Sequence, residues 1–343
     1  MKKVCIIGGG SWGTAMAIHL GRLGIDTHLW VREKEIHEEM VLTGENKTFL
    51  PGIPIPSSVS FSLDLQEAIG GTEAILIAVP SRFCRQMYTQ MAPYISSEQF
   101  IVSLTKGIEE ESLKRMSEVM GEVFSETSHS RIAVLSGPSF AREVAESHPT
   151  AVVISSKNLE LAKKIQSLVS SMYFRAYSSE DIIGVELAGA CKNVIAIATG
   201  ISDSFGFGSN SMAGLVTRGL AEMTRLGVSM GAKQETYAGL AGIGDLVLTC
   251  TGKLSRNRYV GSELGKGKSL NEIISGMKMV AEGITTTLSV RQLAQRQNVE
   301  MPISEQAYSV LYQGKNPRDA FRDLMSRELK DEYKTSKGEK NEI

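Results

Sequence analysis

Cysteine is scarce and scattered in this 343-residue sequence: Cys5, Cys84, Cys191 and Cys250 stand far apart, with no paired spacing. That excludes a disulfide framework and a cysteine zinc site, and it points to a reducing, cytoplasmic setting. An excess of either charge is also missing. The formal net charge of −1 leaves no footprint for nucleic acid or another polyanion. There is no internal repeat, low-complexity tract or metal-ligand spacing. The most apolar stretch, Ile182 to Ser202, is too short and too rich in Gly, Asn and Lys to be read as a membrane span. The opening residues, MKKVCIIGGGSWGTAMAIHL, superficially resemble a signal peptide, but the glycine cluster breaks the apolar run. A histidine acid–base pair is missing as well. His129 and His148 lack a neighbouring carboxylate in the sequence, and both read as structural.

What is present is a pattern that changes halfway. Short β-branched or apolar runs at 3–7, 27–31, 74–79, 100–104, 132–135, 151–154 and 173–177 read as strands, several with helical segments between them. Residues 49–56 form a proline-rich excursion that reads as an ordered loop. After Asp181 no convincing strand follows, and 211–228, 255–265, 283–297 and 302–312 are helical in pattern. The expected fold class is therefore α/β: a Rossmann-like doubly wound sheet followed by an all-α C-terminal domain. The expected boundaries are a dinucleotide-binding domain over 1–180, a substrate-binding domain over 181–330 and a polar tail over 331–343. The helix opening the second half would form the wall between the two domains, where ligand sites favour lying.

That helix holds Lys192, the single formal charge between Leu187 and Ser202. At helical spacing Val185, Gly189, Lys192, Ala196 and Thr199 share a face, and most are small, leaving room beside the ammonium. A buried ammonium needs an acidic partner, an anionic ligand or a lowered pKa. The competing reading is a lysine that snorkels to the surface from a core helix. Asn193, a second polar group in the same apolar setting, favours an active-site lysine. Asp245 is the one acid in the thirteen residues GLAGIGDLVLTCT, which makes it the natural counter-charge.

Gly8-Gly9-Gly10-Ser11-Trp12-Gly13 follows the first strand and opens a helix, the context a dinucleotide fingerprint requires. Gly8 permits the tight turn, Gly10 the close approach of a pyrophosphate, and Gly13 the packing of helix on strand. The second strand ends in Trp30-Val31-Arg32-Glu33, with arginine close to where a strict NAD site carries an acid. Arg32 suits a 2′-phosphate, Glu33 keeps that assignment open, and a plain surface arginine is the alternative. Lys106-Gly107 and Ser136-Gly137-Pro138-Ser139-Phe140-Ala141 each follow a strand, so both loops should border the cleft. Ser255-Arg256-Asn257-Arg258 reads as a capped helix start able to hold an anion, or as an ordinary surface helix.

Together the blocks GGGSWGTA, SLTKGIE, LSGPSFA, ELAGACKNVIAIATGI, GLAGIGDLVLTCTGKLSRN and VAEGITT resemble the bacterial type of NAD(P)-dependent glycerol-3-phosphate dehydrogenase, through nearly the whole chain. The resemblance implies reversible reduction of dihydroxyacetone phosphate to sn-glycerol 3-phosphate, supplying glycerophospholipid synthesis, by an enzyme that is commonly a homodimer. It implies Lys192 as the acid/base residue. Lys106, Gly137, Ser139, Lys192, Asp245, Ser255, Arg256 and Asn257 match the family's substrate contacts. Ser11, Trp12, Arg32, Lys106, Ala141, Arg256, Val280 and Glu282 match its cofactor contacts, beside the glycines 8, 10 and 13. With Arg32 in place, NADPH is expected to serve at least as well as NADH. Two other readings are a 3-hydroxyacyl-type or 6-phosphogluconate-type dehydrogenase of the same build and a non-catalytic dinucleotide sensor. The missing His–Glu pair argues against the 3-hydroxyacyl type.

Overall fold

The structure is a computed structural model that describes residues 3–124, 130–277, 279–329 and 331–332. Its first half alternates strands and helices: β1 (Lys3–Ile7), α1 (Ser11–Arg22), β2 (Asp26–Trp30), α2 (Lys34–Thr43), β3 (Val59–Ser62), α3 (Leu65–Ile69), β4 (Ala74–Ile77), α4 (Ser81–Met91), β5 (Phe100–Ser103), α5 (Met116–Val123), β6 (Ile132–Ser136), α6 (Ala141–Ala145), β7 (Thr150–Ser155), α7 (Leu159–Val169) and β8 (Phe174–Ser179). Helices follow: α8 (Ile182–Ser204), α9 (Gly208–Ser229), α10 (Gln234–Tyr237), a π-helical turn at Leu240–Gly244, α11 (Asp245–Thr251), α12 (Arg256–Gly265), α13 (Leu270–Ser275), α14 (Gly283–Arg296), α15 (Pro302–Tyr312) and α16 (Pro317–Met325). His129 and most of the expected polar tail lie outside the described residues.

The eight strands form one sheet in the order β3-β2-β1-β4-β5-β6-β7-β8. Alternate residues serve opposite faces. Val4, Ile6, Leu29, Leu76 and Val102 pack with Met16 and Leu20 of α1. Cys5, Ile7, Ile75, Ile77 and Ile101 pack with Cys84, Tyr88 and Met120 from α4 and α5. Both faces are covered, which is why these strands are apolar at nearly every position. β3 was not expected from the sequence. Its residues VSFS offer only two apolar side chains, and pairing with β2 at the sheet edge defines it.

Strand direction sets where the key lysine stands. β1 to β6 run parallel, but β7 pairs antiparallel with β6 and β8 runs parallel with β7. The chain therefore leaves β8 at the opposite end of the sheet from the carboxyl ends of β1 to β6. From there α8 climbs back, and the ten-residue step from Ile182 to Lys192 rises about 15 Å. That lifts Lys192 level with the carboxyl ends of β5 and β6. α8 is long and apolar enough to cross a membrane, yet 89% of the window in question is buried inside the protein, so it is a core helix. Its first turns join the sheet's core through Ile182 and Val185. Its middle joins the helical core with Met223, Leu246, Val290 and Ile303.

Glycines let α12 cross α8 at backbone contact. A Cβ on Gly261 would meet the Ile197 carbonyl oxygen at 2.0 Å, and one on Gly200 would meet the Arg258 carbonyl oxygen at 2.1 Å. Gly261→Ala is expected to cost roughly 1–3 kcal/mol through overpacking, read as a lower midpoint in thermal unfolding. An unchanged midpoint would show that the crossing relaxes freely.

Candidate active site

The glycine loop after β1 has the shape a dinucleotide pyrophosphate needs. Gly8 holds φ at +120°, and a Cβ there would lie 2.7 Å from the Ala78 carbonyl oxygen. A Cβ on Gly13 would lie 1.9 Å from the Gly8 carbonyl oxygen, so only glycine lets α1 seat against β1. Above Gly10 there is open space, and no side chain caps the first turn of α1. Its N–H groups and positive dipole end remain available to an anion. The indole Nε1 of Trp12 is buried without a hydrogen-bond partner among the described residues. Ser11 Oγ lies 2.8 Å from the Phe49 carbonyl oxygen and 3.0 Å from Met279 Sδ, which brings the segment holding Val280 and Glu282 to the loop. These residues fit a dinucleotide.

Asp245, 1% exposed, stands at the start of α11 between two lysines. Lys192 Nζ donates to its Oδ1 at 2.6 Å and to Thr249 Oγ1 at 2.8 Å. Lys106 Nζ donates to its Oδ2 at 2.8 Å, to the Gly137 carbonyl oxygen at 2.8 Å and to Ser139 Oγ at 3.3 Å. Burial pushes the Asp245 pKa up, but the two ammonium groups outweigh it and hold the carboxyl below its ordinary value. Burial lowers the Lys192 pKa to about 8; Asp245 opposes the shift and Lys106 adds to it. Of the three Lys192 protons, two are directed at Asp245 and Thr249, and the third, without a partner among the described residues, can meet a bound oxygen.

Thr249 and the second engagement of Asp245 were not anticipated from the sequence. Thr249 lies one helical turn after Asp245, and its hydroxyl donates back to the Asp245 carbonyl oxygen at 2.6 Å. A hydroxyl at i+4 from the acid, in an otherwise apolar turn, was the available signal. The Lys106–Asp245 bond joins positions 139 residues apart, and nothing local announces it.

The α12 start is tied to the same centre by amides. Asn193 Nδ2 donates to the Lys106 carbonyl oxygen at 3.2 Å, Asn257 Nδ2 donates to Asn193 Oδ1 at 2.8 Å, and Gly283 N donates to Asn257 Oδ1 at 2.9 Å. Ser255 caps α12, its hydroxyl accepting from Arg258 N at 3.2 Å. Arg256 is exposed at the first position of α12. Crowding by protein lowers its pKa, and the charge of Glu282 opposes that. Glu282 accepts from Ser81 N at 3.2 Å. Burial raises its pKa to about 7, against the Ser81 hydrogen bond and the pull of Arg256, Lys192 and Lys106.

Three expected positions lie further out. Ala141 opens α6 and, like Trp12, packs against the core cluster of Ala15, Ile18 and Ala145. Val280 is half-buried in the stretch before α14. Arg32 is exposed just after β2 and donates from Nε to Glu33 Oε1 at 2.8 Å, with a second bond from Nη2. His148 needs a correction: the fold brings Glu146 Oε2 to 3.7 Å from its Nε2. That pair is exposed on the turn after α6 and has no link to Lys192.

The family model described as NAD-dependent glycerol-3-phosphate dehydrogenase N-terminus matches residues 3–162, and its C-terminus counterpart matches 181–322. A glycerol-3-phosphate dehydrogenase [NAD(P)+] of Geobacter sp. (strain M21) is 51% identical over 331 residues, 96% of this chain and 99% of that one. One from Syntrophotalea carbinolica is 50% identical over 330 residues, with 96% and 99% covered. Among solved structures, the glycerol-3-phosphate dehydrogenase of Coxiella burnetii superposes with a TM-score of 0.90 at 41% identity, covering 95% of this chain and 99% of that one.

Proposed function

From the membership of this chain in the NAD-dependent glycerol-3-phosphate dehydrogenase family, which makes it an NAD(P)-dependent oxidoreductase interconverting dihydroxyacetone phosphate and glycerol 3-phosphate, we propose that Lys192 is its proton donor and that Asp245 sets that role. The reading as a sensor, and the readings as other dehydrogenases of this build, fall away with the family. The carboxylate shared by two lysines is the observation that carries the proposal. A nicotinamide cofactor held at the glycine loop would supply hydride chemistry at C2 of the ketone. Lys192 then gives its free proton to the C2 oxygen, while Lys106 adds positive charge beside the developing alkoxide. In the reverse direction the neutral Lys192 amine takes that proton back. Asp245 and Thr249 fix the ammonium's direction, so its orientation costs nothing at the moment of reaction.

Arg256 and the capped start of α12 hold the substrate phosphate, and Gly137 and Ser139 complete the wall beside Lys106. Asn257 positions the α12 start against Asn193. Binding the remote phosphate places the reacting carbon. The lysines and Arg256 outnumber the acids at this centre, which suits a dianionic substrate. Gly8, Gly10, Ser11, Trp12 and Gly13 would hold the cofactor's pyrophosphate end. Ala141, Val280 and Glu282 would line the cofactor's site, and Arg32 would meet its adenosine ribose.

NADPH serves at least as well as NADH on this reading, because arginine stands where an acid would enforce NAD. The change from strands to helices after Ser179 supports dividing the chain at 180/181. The buried free thiols support a cytoplasmic setting, and the family resemblance supports a homodimer supplying glycerophospholipid synthesis. Mixing the protein with NADPH and dihydroxyacetone phosphate should consume the reduced nicotinamide absorbance, and NADH should be consumed no faster. Failure to consume either cofactor, or a tenfold preference for NADH, would overturn the reading.

A further inference from the structure

At the adenosine end, Arg32 does not stand alone. The loops after β2 and β4 flank the glycine loop after β1, since both strands pair with β1. The β4 loop leads into α4, whose second and third residues are Arg82 and Phe83. The Arg82 guanidinium carbon lies 4.5 Å from the centroid of the Phe83 ring, and that of Arg32 lies 5.7 Å from the same centroid. Two guanidinium groups thus share one aromatic rim, at the end of the sheet where this fold class places an adenosine ribose.

Their states differ. Arg32 turns its Nε–Nη2 edge to Glu33, the edge a guanidinium uses to fork a phosphate, and Glu33 offsets its charge. Arg82 is exposed, and among the described residues it has no acidic partner or hydrogen bond, while its guanidinium rests on the Phe83 ring. Its donors and full charge remain available. A 2′-phosphate held by Arg32 alone would have to compete with Glu33.

We propose that Arg82 is a second 2′-phosphate contact and a determinant of cofactor choice, holding the phosphate jointly with Arg32 at the rim of Phe83. The proposal rests on the reading that NADPH is used at least as well as NADH. It commits to a phosphate on an adenosine ribose as ligand, and Phe83 gives the two long side chains a common support.

The test is a binding titration of the full-length protein, separate from turnover. Adenosine 2′,5′-bisphosphate and AMP are titrated by calorimetry, and NADPH and NADH by nicotinamide fluorescence. Wild type, Arg82→Gln, Arg82→Lys and Arg32→Gln are compared. Arg82→Gln should weaken NADPH and the 2′,5′-bisphosphate about tenfold while NADH and AMP stay within about twofold; losing one charge-assisted contact has that scale. Arg82→Lys should fall between, since it keeps the charge but not the fork. Equal loss for both members of each pair would make Arg82 a brace for Phe83 and overturn the proposal, as would no loss at all. If wild type discriminates for the 2′-phosphate and only Arg32→Gln removes that discrimination, the cofactor reading stands and the Arg82 proposal fails. If wild type binds the phosphorylated and unphosphorylated ligands equally, the Arg82 proposal fails while the cofactor reading stands, and a tenfold preference for NADH and AMP fails both. The side chain is exposed, so folding should survive each change, and an unaltered unfolding midpoint verifies it.

Discussion

Lys192→Ala is expected to lower kcat for dihydroxyacetone phosphate reduction by at least about 100-fold, the scale of a lost general acid, with the Kd for NADPH within about twofold of wild type. The expectation follows from the free third proton of Lys192, whose other two are held by Asp245 and Thr249. Removing the ammonium leaves Asp245 neutralised by Lys106 alone, so the centre keeps one ion pair and the fold should persist. Thermal unfolding close to wild type together with lost turnover places the defect in chemistry. Near-normal turnover in the variant would remove Lys192 from the mechanism.

The second large effect concerns the phosphate. Arg256→Ala should weaken dihydroxyacetone phosphate by roughly 1.5–3 kcal/mol, the value of a charge-assisted contact, or about ten- to a hundredfold in kcat/KM. Dihydroxyacetone, which lacks the phosphate, should be turned over slowly by both proteins and at nearly the same rate. Arg256 suits this comparison because its neighbours are otherwise occupied. Ser255 caps α12 and Asn257 bridges Asn193 to Gly283, so truncating either would disturb the scaffold as well. Equal loss with both ketones would mean that Arg256 braces the cleft or the cofactor and does not grip phosphate.

Much of the fold was legible because buried parallel strands and a long apolar helix write themselves as periodicity. The strands at 3–7, 74–77 and 100–103 are apolar on both faces, and their helices repeat at the expected spacing. β3 was not legible, since VSFS gains its strand character from the neighbouring β2. At the site, Lys192 and Asp245 stood out as lone charges in apolar stretches, and the fold pairs them. What could not be read was geometry between distant segments. The sequence offered Asp245 as a partner for Lys192 only, whereas the carboxylate serves Lys106 equally. A buried Arg115–Glu186 pair, with Nη1 to Oε2 at 2.6 Å, likewise joins α5 to α8 without any local mark. Arg82 carried no motif and gains meaning only from the ring it shares with Arg32.

The claim at the centre of this account, that Lys192 passes a proton to and from the substrate's C2 oxygen, is tested most directly by the pH dependence of kcat in both directions. Reduction needs the ammonium, and oxidation of glycerol 3-phosphate needs the neutral amine. Burial lowers the Lys192 pKa to about 8, and a bound phosphate dianion would move it back upward. The reduction rate should therefore fall as pH rises through an inflection at or above about 8, while the oxidation rate climbs through the same inflection. Both limbs should vanish in Lys192→Ala. A reduction rate that stays flat from pH 7 to 10, or two directions that rise and fall together, would contradict the account.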